Sequence, residues 1–411
     1  MKTAADPGAG YRCRACHYLL TATRARHVAC PHCGHVHPNL LKARKGAERR
    51  LPGGRLRILD ARNPIARRGR VSFAFESFDH PAVRELRKAY DHARAMRDMP
   101  DEIHAQLALM NWLNRHLLSG GKTIEVYDRG RRHPAYRRGR FRRAYLDTDC
   151  QACSGFSYTF VPLASSVGHT ARVVNVNSED TYHGKHSFPH MIVEIWSNQY
   201  VKWVVLDALF NHSWWRGGVP LSALEVRESF LRCGGEDVTT RWGLSKAPAP
   251  RVLELGPTAG NPAKFQWILY LTANNFLAFP EEQKFWRGLL FRDKHNEGRP
   301  FTIYPDASRH PYAGEGLLDE TTDPDDWNWP INLCELNVTC SRPGELDVHV
   351  YTFTPNFSRF VAKKGKGPWR KASRDFAWLL KSGRNRLTVQ AVNTLGVRGP
   401  ESFLELEWHP E

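Results

Sequence analysis

Long apolar runs are missing from this 411-residue chain. A helix that crosses a bilayer needs about 20 consecutive apolar residues, and the longest apolar stretches here, around 203–210 and 267–271, are far shorter. The N terminus also lacks the apolar region of a secretory signal peptide. We therefore expect no membrane span, no signal peptide and no membrane partner.

Cysteines are too few, and odd in number, for a disulfide framework. The chain contains nine, whereas small disulfide-stapled proteins carry many paired cysteines. The hydrophobic share of 41% is enough for true hydrophobic cores, and the length suits about three domains. These features predict a cytoplasmic, globular, multidomain protein.

Acidic residues are scarce in the first third of the chain. Residues 1–150 contain 31 Lys and Arg against 14 Asp and Glu, and residues 151–411 contain 28 of each, so the net charge of +17 belongs to the first 150 residues. Basic clusters at 42–50, 62–70 and 129–143 could contact the phosphates of a nucleic acid. A basic rim would equally attract an acidic peptide or metabolite, and nucleic acid is the less favoured partner.

Two CxxC pairs in the segment 1–38 have the spacing of a zinc site. Cys13 and Cys16 are separated by 13 residues from Cys30 and Cys33, as in two-knuckle sites of four thiolates. The segment resembles small zinc ribbons, which implies a structural Zn2+ that supplies the folding free energy so small a core lacks. Nearby histidines are alternative ligands that a complete four-cysteine site does not need: His17, His27, His32, His35 and His37. The ribbon could be a purely structural or docking module, or it could recognise a protein or nucleic-acid partner.

A cysteine, a histidine and an aspartate follow one another in the order expected of thiol catalysis. From Cys153, apolar residues at offsets 3, 7, 10 and 14 predict one buried helix face. Cys153 would open this helix, where unpaired backbone N–H groups and the helix dipole favour a thiolate. Pro162 should kink the helix.

The histidine and the aspartate lie on the two strands of a predicted hairpin. Alternating apolar residues follow His190 and precede Asp207, with a turn at 197–199 between them. Antiparallel pairing would bring His190 opposite Asp207. The carboxylate would then hold one imidazole nitrogen while the other faces Cys153.

These motifs resemble those of the transglutaminase-like branch of the papain-type cysteine enzymes. Around the cysteine, the family's spacing is matched by Cys153, Ser157, Leu163, Gly168, Arg172, Val173 and Val174. The family's His-x-aromatic-x-Glu and Trp-x-x-x-Asp strands are matched by His190, Ile192, Glu194, Trp203 and Asp207. Two positions depart from the pattern, since Gln151 replaces a common glycine and Ile192 an aromatic residue. Covering roughly residues 100–215, the resemblance implies an α+β, papain-like core in which a helix carries the cysteine and an antiparallel sheet carries the histidine and the aspartate.

The resemblance also implies an acyl-enzyme formed at Cys153, with His190 as base and then acid, and Asp207 holding the imidazole. The Cys153 backbone N–H and the Gln151 side chain would hold the oxyanion, and no cofactor is implied for catalysis. Water as acyl acceptor would give a peptidase or amidase, and an amine would give a transglutaminase or ligase. Hydrolysis of a peptide, protein or amide substrate is favoured because bulk water needs no second binding site. The alternative is a catalytically inactive adaptor of the same fold that binds proteins or nucleic acid.

Cys150 forms a further CxxC pair with Cys153. Such a pair could be a redox couple or half of a metal site. No second CxxC lies nearby, and the start of a helix suits a nucleophile better. We therefore interpret Cys150 as a small residue beside the site, with a reversible disulfide to Cys153 as the minor alternative.

Composition divides the chain between the ribbon and residue 315 into three segments. Residues 39–80 are interpreted as a basic linker rich in Gly and Pro, and residues 81–255 as the transglutaminase-like core. The core begins with predicted helices at 81–96 and 101–118, and Trp112 on the second of these is expected to pack in the hydrophobic core. Residues 256–315 are interpreted as an aromatic-rich connecting segment.

Residues 316–411 alternate in polarity and predict a β-sandwich. The segment resembles immunoglobulin-like and fibronectin-type modules, which could bind a protein partner. The predicted strands lie at 333–340, 346–353, 359–362, 376–379, 386–392 and 402–408. Cys334 and Cys340 share one face of the first strand, and we expect both to be core thiols.

Overall fold

The computed structural model describes residues 10–12, 19–21, 27–29, 36–38, 46, 48–66, 69–118, 153–178, 190–244, 260–275, 287–297 and 318–411. The chain forms two compact units. The core unit is Arg68–Pro330, and the sandwich unit combines Met1–Arg67 with Ile331–Glu411. Helices and mostly antiparallel sheets are combined in the described residues, as expected for the α+β class.

Six helices and one 3-10 helix lie in the described part of the core unit. Their bounds are α1 Pro81–Ala89, α2 His92–Arg97, α3 Glu102–Leu118, α4 Cys153–Ser166, α5 Ala223–Cys233, α6 Pro324–Trp327 and the 3-10 helix Pro262–Phe265.

Six strands precede the core sheet in the sequence. They are β1 Gly10–Arg12, β2 Leu19–Thr21, β3 His27–Ala29, β4 Val36–Pro38, β5 Glu48–Leu51 and β6 Gly54–Arg62. The first four form two small antiparallel hairpins, β1 with β2 and β3 with β4.

The core unit is built on one nine-stranded sheet. Its strands are β7 Ala171–Asn177, β8 His190–Ser197, β9 Lys202–Asp207, β10 His212–Arg216, β11 Val219–Pro220, β12 Thr239–Arg241, β13 Trp267–Leu271, β14 Gly288–Phe291 and β15 Leu318–Thr321. They run in the order β11, β10, β9, β8, β7, β13, β14, β15, with β12 paired to β10, and among these described strands only β14 and β15 pair in parallel.

Apolar side chains cover both faces of this sheet. On one face, helices α3 and α4 pack against β7, β8 and β9 around Phe156, Phe160 and Leu163. On the other face, α5 packs with Phe265 and Trp327. Because both faces are covered, every residue of β7 is buried, as expected for a strand at the centre of a sheet.

The predicted helices are confirmed with one exception. Helix α3 begins one residue after Asp101, whose side chain accepts the His104 backbone N–H at 3.1 Å as a cap, and α4 runs through Pro162 as one helix. Trp112 is buried in the core as expected. The single helix predicted at 81–96 is wrong, because Tyr90 has extended backbone dihedrals that end α1 and a second helix then begins.

The predicted connecting segment 256–315 is wrong for the part that the structure describes. Strands β13 and β14 are interior members of the core sheet, and β13 pairs with β7 through Ile268 and Val176. The start of the sandwich at residue 316 is also wrong, because β15 pairs with β14 and the core unit extends to Pro330.

The sandwich unit contains two packed sheets. Its later strands are β16 Cys334–Arg342, β17 Glu345–Thr352, β18 Phe357–Lys364, β19 Arg370–Ala372, β20 Asp375–Leu379, β21 Gly383–Asn393 and β22 Ser402–Pro410. One sheet has the order β16, β17, β20, and the other has the order β19, β18, β21, β22, β6, β5. A common core that includes Val348, Leu387 and Trp408 joins the two sheets. The β-sandwich prediction is confirmed, and within 316–411 strand β19 was not predicted from the sequence.

The predicted linker 39–80 contains two strands of this sandwich. Strand β6 pairs with the C-terminal strand β22 along its length, and β5 adds the edge. Leu56 and Ile58 point into the core while Arg55 and Arg57 face outward. Buried and exposed residues therefore alternate as in an ordinary strand, although the many Arg residues suggested a linker. The linker interpretation is wrong for 48–62.

Cys334 and Cys340 lie on the same face of β16 as predicted. Cys334 is fully buried in the sandwich core and Cys340 packs against it. Burial raises the pKa of the Cys334 thiol, which keeps it neutral. Cys334 is a core thiol as expected, whereas Cys340 is only partly buried and packs against the core from outside. Among the residues described, no helix has both the length and the apolar character to span a bilayer.

Candidate active site

Cys153 is the first residue of α4 and remains partly accessible. Burial favours the neutral thiol, but a hydrogen bond with His190, the positive charge of that ring and the Met191 backbone N–H outweigh it and lower the pKa of Cys153. Helix α4 is held against β8 at this point because the Ser157 hydroxyl donates to the Met191 carbonyl at 2.9 Å. The small residue at 157 thus allows the thiol and His190 to lie close together.

His190 is the first residue of β8, and its ring is almost fully buried. Its Nε2 lies 2.5 Å from Oδ2 of Asp207, which leaves Nδ1 as the nitrogen that can meet the thiol. Burial disfavours a charged ring, but the Asp207 carboxylate and the contact with Cys153 raise the pKa of His190 to about 9. The ring of Phe210 packs against the imidazole at 5.3 Å between centroids.

Asp207 is the last residue of β9 and is fully buried. Its Oδ1 accepts the Phe210 backbone N–H at 3.0 Å, and its Oδ2 holds His190. Burial favours the protonated acid, but the positive charge and hydrogen bond of His190 lower the pKa of Asp207 to about 2. The carboxylate is therefore charged at neutral pH.

The contact between His190 and Asp207 is diagonal, not directly across the hairpin. Strands β8 and β9 pair Val193 with Leu206. Continued by three residues, this register would place Leu209 opposite His190, two positions beyond Asp207. A diagonal neighbour at this offset is still within side-chain reach, so the predicted contact forms although the predicted register does not.

The three side chains form one continuous chain of contacts from thiol to carboxylate. A lowered thiol pKa beside a raised imidazole pKa favours a thiolate–imidazolium pair at neutral pH. Because the two groups titrate together, the shifts belong to the pair as a whole. Such a pair can attack a carbonyl carbon and then protonate a leaving amine.

The remaining positions of the motif form a buried ion pair, packed on aromatic rings, behind the site. Arg172 on β7 donates through Nε and Nη2 to Oε2 of Glu194 on β8, at 2.9 and 2.6 Å. The guanidinium also lies 4.3 Å from the Trp203 ring centroid and 4.0 Å from that of Tyr270. Oε1 of Glu194 accepts the Ala223 backbone N–H at the start of α5. These contacts join β7, β8, β9 and α5 behind the site.

Two residues near the triad were missed by sequence reasoning. Lys264, on the 3-10 helix, has its Nζ 5.5 Å from the Phe210 ring centroid and interacts electrostatically with Asp207 and Cys153. Its burial lowers the pKa of the ammonium more than those anions raise it. His212 opens β10 beside Asp207. No local sequence pattern pointed to Lys264. His212 could have been found, because it lies five residues after Asp207 and at the start of the next strand.

Several predicted site residues lie outside the described residues. These are Gln151 and Cys150, and the four zinc-ligand candidates Cys13, Cys16, Cys30 and Cys33. Of the three basic clusters, 129–143 also lies outside them, while Arg50 and Arg62 are on β5 and β6. Within the described ranges there is no group of three or more His, Cys, Asp or Glu that could hold a metal ion.

Comparison of the chain with protein-family models, with curated proteins and with solved structures returned no match.

Proposed function

We propose that the protein is a cysteine-dependent acyl-transfer enzyme of the transglutaminase-like type, in which Cys153 forms an acyl-enzyme. The observation that carries the proposal is the continuous contact from the Cys153 thiol through His190 to the buried Asp207 carboxylate. Perturbed titrations at a partly accessible thiol favour catalysis over a structural role.

The first half-reaction transfers the acyl group from an amide to the thiol. The Cys153 thiolate attacks the carbonyl carbon, the C–N bond breaks, and the His190 imidazolium gives its Nδ1 proton to the leaving amine. Asp207 keeps its charge throughout and fixes the ring through Nε2. The Cys153 backbone N–H at the start of α4 is a donor for the oxyanion, with Gln151 as the proposed second donor.

The second half-reaction releases the acyl group to an acceptor. Neutral His190 takes a proton from water, the resulting hydroxide attacks the thioester carbon, and the thiolate leaves with the imidazolium restored. We favour water over an amine because water needs no binding site of its own. The product is then a carboxylic acid, and the enzyme is a peptidase or amidase.

A papain-like arrangement of the core is part of the same proposal. A helix that begins with the cysteine packs on an antiparallel sheet whose neighbouring strands begin with the histidine and end with the aspartate. The small N-terminal segment is proposed to hold one structural zinc ion. Each CxxC pair falls in the segment that joins the two strands of a hairpin, 13–18 between β1 and β2 and 30–35 between β3 and β4, which suits zinc knuckles.

The experiment that tests the proposal is alkylation of the protein by iodoacetamide across a range of pH. The thiolate is the reactive species, so an ion-paired Cys153 should react well below the ordinary thiol pKa of about 8.5. Cys153→Ser provides the blank for the other cysteines. If Cys153 alkylates only with the pH dependence of an ordinary thiol, the enzyme proposal fails and the inactive adaptor becomes the better account.

A further inference from the structure

His212 lies directly beside the carboxylate of the triad. It opens β10, and the strand register pairs it with Asp207. Its Nε2 is 3.9 Å from Oδ2 of Asp207, and both side chains are fully buried. This distance is longer than a hydrogen bond, so the ring acts on the carboxylate through space.

Aromatic neighbours fix the plane of the His212 ring. Phe210 stacks on it with an interplanar angle of 8°, and Trp214 and Trp242 meet it edge-on at 4.4 and 5.3 Å between centroids. A phenylalanine could fill such an aromatic box equally well. Packing alone therefore does not explain a histidine at this position.

Both ring nitrogens of His212 are buried, and neither makes a hydrogen bond of ordinary geometry among the described residues, although the backbone of Phe210 lies close enough to favour the protonated ring. An unsatisfied buried polar group costs about 1–3 kcal/mol relative to a satisfied one. The carboxylate oxygen that faces Nε2 is Oδ2 of Asp207, which also accepts a hydrogen bond from His190, while Oδ1 accepts one from the Phe210 backbone N–H. The position therefore suits a second N–H directed at the same carboxylate oxygen.

The protonation state of the His212 ring depends on its burial and on the charged groups that face it. They are Asp207 on β9, His190 on β8 and Lys264 on the 3-10 helix. Burial lowers the pKa of His212 to about 4, with His190 and Lys264 adding to the shift and Asp207 opposing it. A neutral ring has one N–H, and Nε2 is the nitrogen that faces the carboxylate.

We propose that His212 is a positioning residue, whose neutral ring directs Nε2–H at Oδ2 of Asp207 and so keeps the carboxylate aligned under His190. The proposal rests on the proposed function of the triad. Without the electrostatic attraction of this N–H, the carboxylate would rely on its hydrogen bonds with the Phe210 backbone N–H and with His190. It could then turn about its last bond, and the imidazolium that supports the Cys153 thiolate would be less stabilised.

The test measures the rate of Cys153 alkylation by iodoacetamide at a pH about two units below the ordinary thiol pKa. His212→Phe keeps the aromatic packing and removes the N–H, and His212→Gln replaces it with an amide N–H at a similar reach. We expect His212→Phe to shift the pH profile of alkylation upward by about 0.5–1 unit, which lowers the rate about three- to tenfold wherever the pH lies below the pKa of the thiol. His212→Gln should stay within about twofold of the unsubstituted protein, since it restores the donor.

A double-mutant comparison separates positioning from packing. If His212 acts through Asp207, then His212→Phe should have no further effect on the rate in an Asp207→Asn background. The matched control is His169→Phe, because Nδ1 of His169 also lies 3.9 Å from a carboxylate oxygen, that of Glu102, and burial likewise lowers the pKa of His169 to about 4. That control should leave the rate unchanged.

The outcomes are distinct. An unchanged rate in His212→Phe, equal losses in His212→Phe and His212→Gln, or an additive loss in the Asp207→Asn background overturns the positioning role while leaving the triad intact. An unsubstituted Cys153 that reacts as an ordinary thiol overturns the proposed function, and the positioning role with it.

Discussion

Replacing Asp207 by asparagine should abolish the activated state of Cys153 while leaving the fold in place. In the unsubstituted protein, burial works against a charged His190, but the carboxylate raises its pKa to about 9. In Asp207→Asn the opposing effect of burial remains, and of the groups that raised the pKa of His190 only Cys153 is left, so this pKa should fall from about 9 toward or below its ordinary 6.5. At neutral pH the ring would then be neutral, and the thiolate would lose its partner.

The size of the effect follows from the ionised fraction of the thiol. A thiol that returns to the ordinary pKa of about 8.5 is only ~3% ionised at pH 7. If the ion pair is nearly complete in the unsubstituted protein, alkylation by iodoacetamide at neutral pH should fall about thirtyfold. Turnover should fall further, by about a thousandfold or more, because the imidazole is also free to adopt the wrong orientation.

The pH dependence has a defined sign. Because the pKa of His190 is raised, the imidazolium is present below that pKa and is lost as the pH rises through about 9. Turnover of the unsubstituted protein should therefore decline on the alkaline side near this value, since no acid is left to protonate the leaving amine.

The matched control is Asp375→Asn in the sandwich unit. It breaks a His–Asp contact of the same length, 2.5 Å between His349 Nδ1 and Asp375 Oδ1, on an exposed surface of the other unit. This control should leave the alkylation rate unchanged. An Asp207→Asn rate within about threefold of the unsubstituted protein would refute the reasoning, because the ion pair would not then depend on the carboxylate.

Three further predictions concern the zinc content and the stability of the protein. Elemental analysis of the purified protein should find about one zinc ion per chain. Less than about half an equivalent of zinc, or zinc retained in the double variant Cys13→Ser and Cys30→Ser, would contradict the proposed zinc site. Arg172→Met should lower the free energy of unfolding, measured by urea unfolding, by about 3–5 kcal/mol, because it leaves the Glu194 carboxylate buried and unpaired. Adding Glu194→Gln should restore part of this stability. A loss under ~1 kcal/mol in Arg172→Met would contradict a stabilising role for the ion pair. Leu56→Ala, which empties a core position of the sandwich unit, should cost about 2–5 kcal/mol in the same assay, and a change below ~0.5 kcal/mol would argue that β6 is not a true member of that sheet.

The order and type of the candidate site residues could be predicted from the sequence because their signals are local. The apolar spacing after Cys153 sets the buried face of α4, and the alternation around His190 and Asp207 sets the two strands. The diagonal register could not be predicted, since it depends on how the intervening turn is built and not on the strand pattern.

Long-range pairing explains most of what the sequence did not reveal. Strand β6 lies at one end of the chain and its partner β22 at the other, and no local pattern indicates that two such segments pair. Its alternating Arg residues also give it the composition of a solvated linker. Strands β13 and β14 are short and buried on both sides, so they lack the alternation that distinguishes a strand from an apolar loop.

The most direct test of the central claim is to locate the acyl group on the protein. A brief reaction with p-nitrophenyl acetate, an activated acyl donor, at a pH about two units below the ordinary thiol pKa should be followed by acid quenching and peptide mapping by mass spectrometry. The account predicts one acetyl group on Cys153, absent from Cys153→Ser and strongly reduced in His190→Ala. Preferential acetylation of Cys150 or Cys233, or acetylation of Cys153 that is unaffected by His190→Ala, would contradict it.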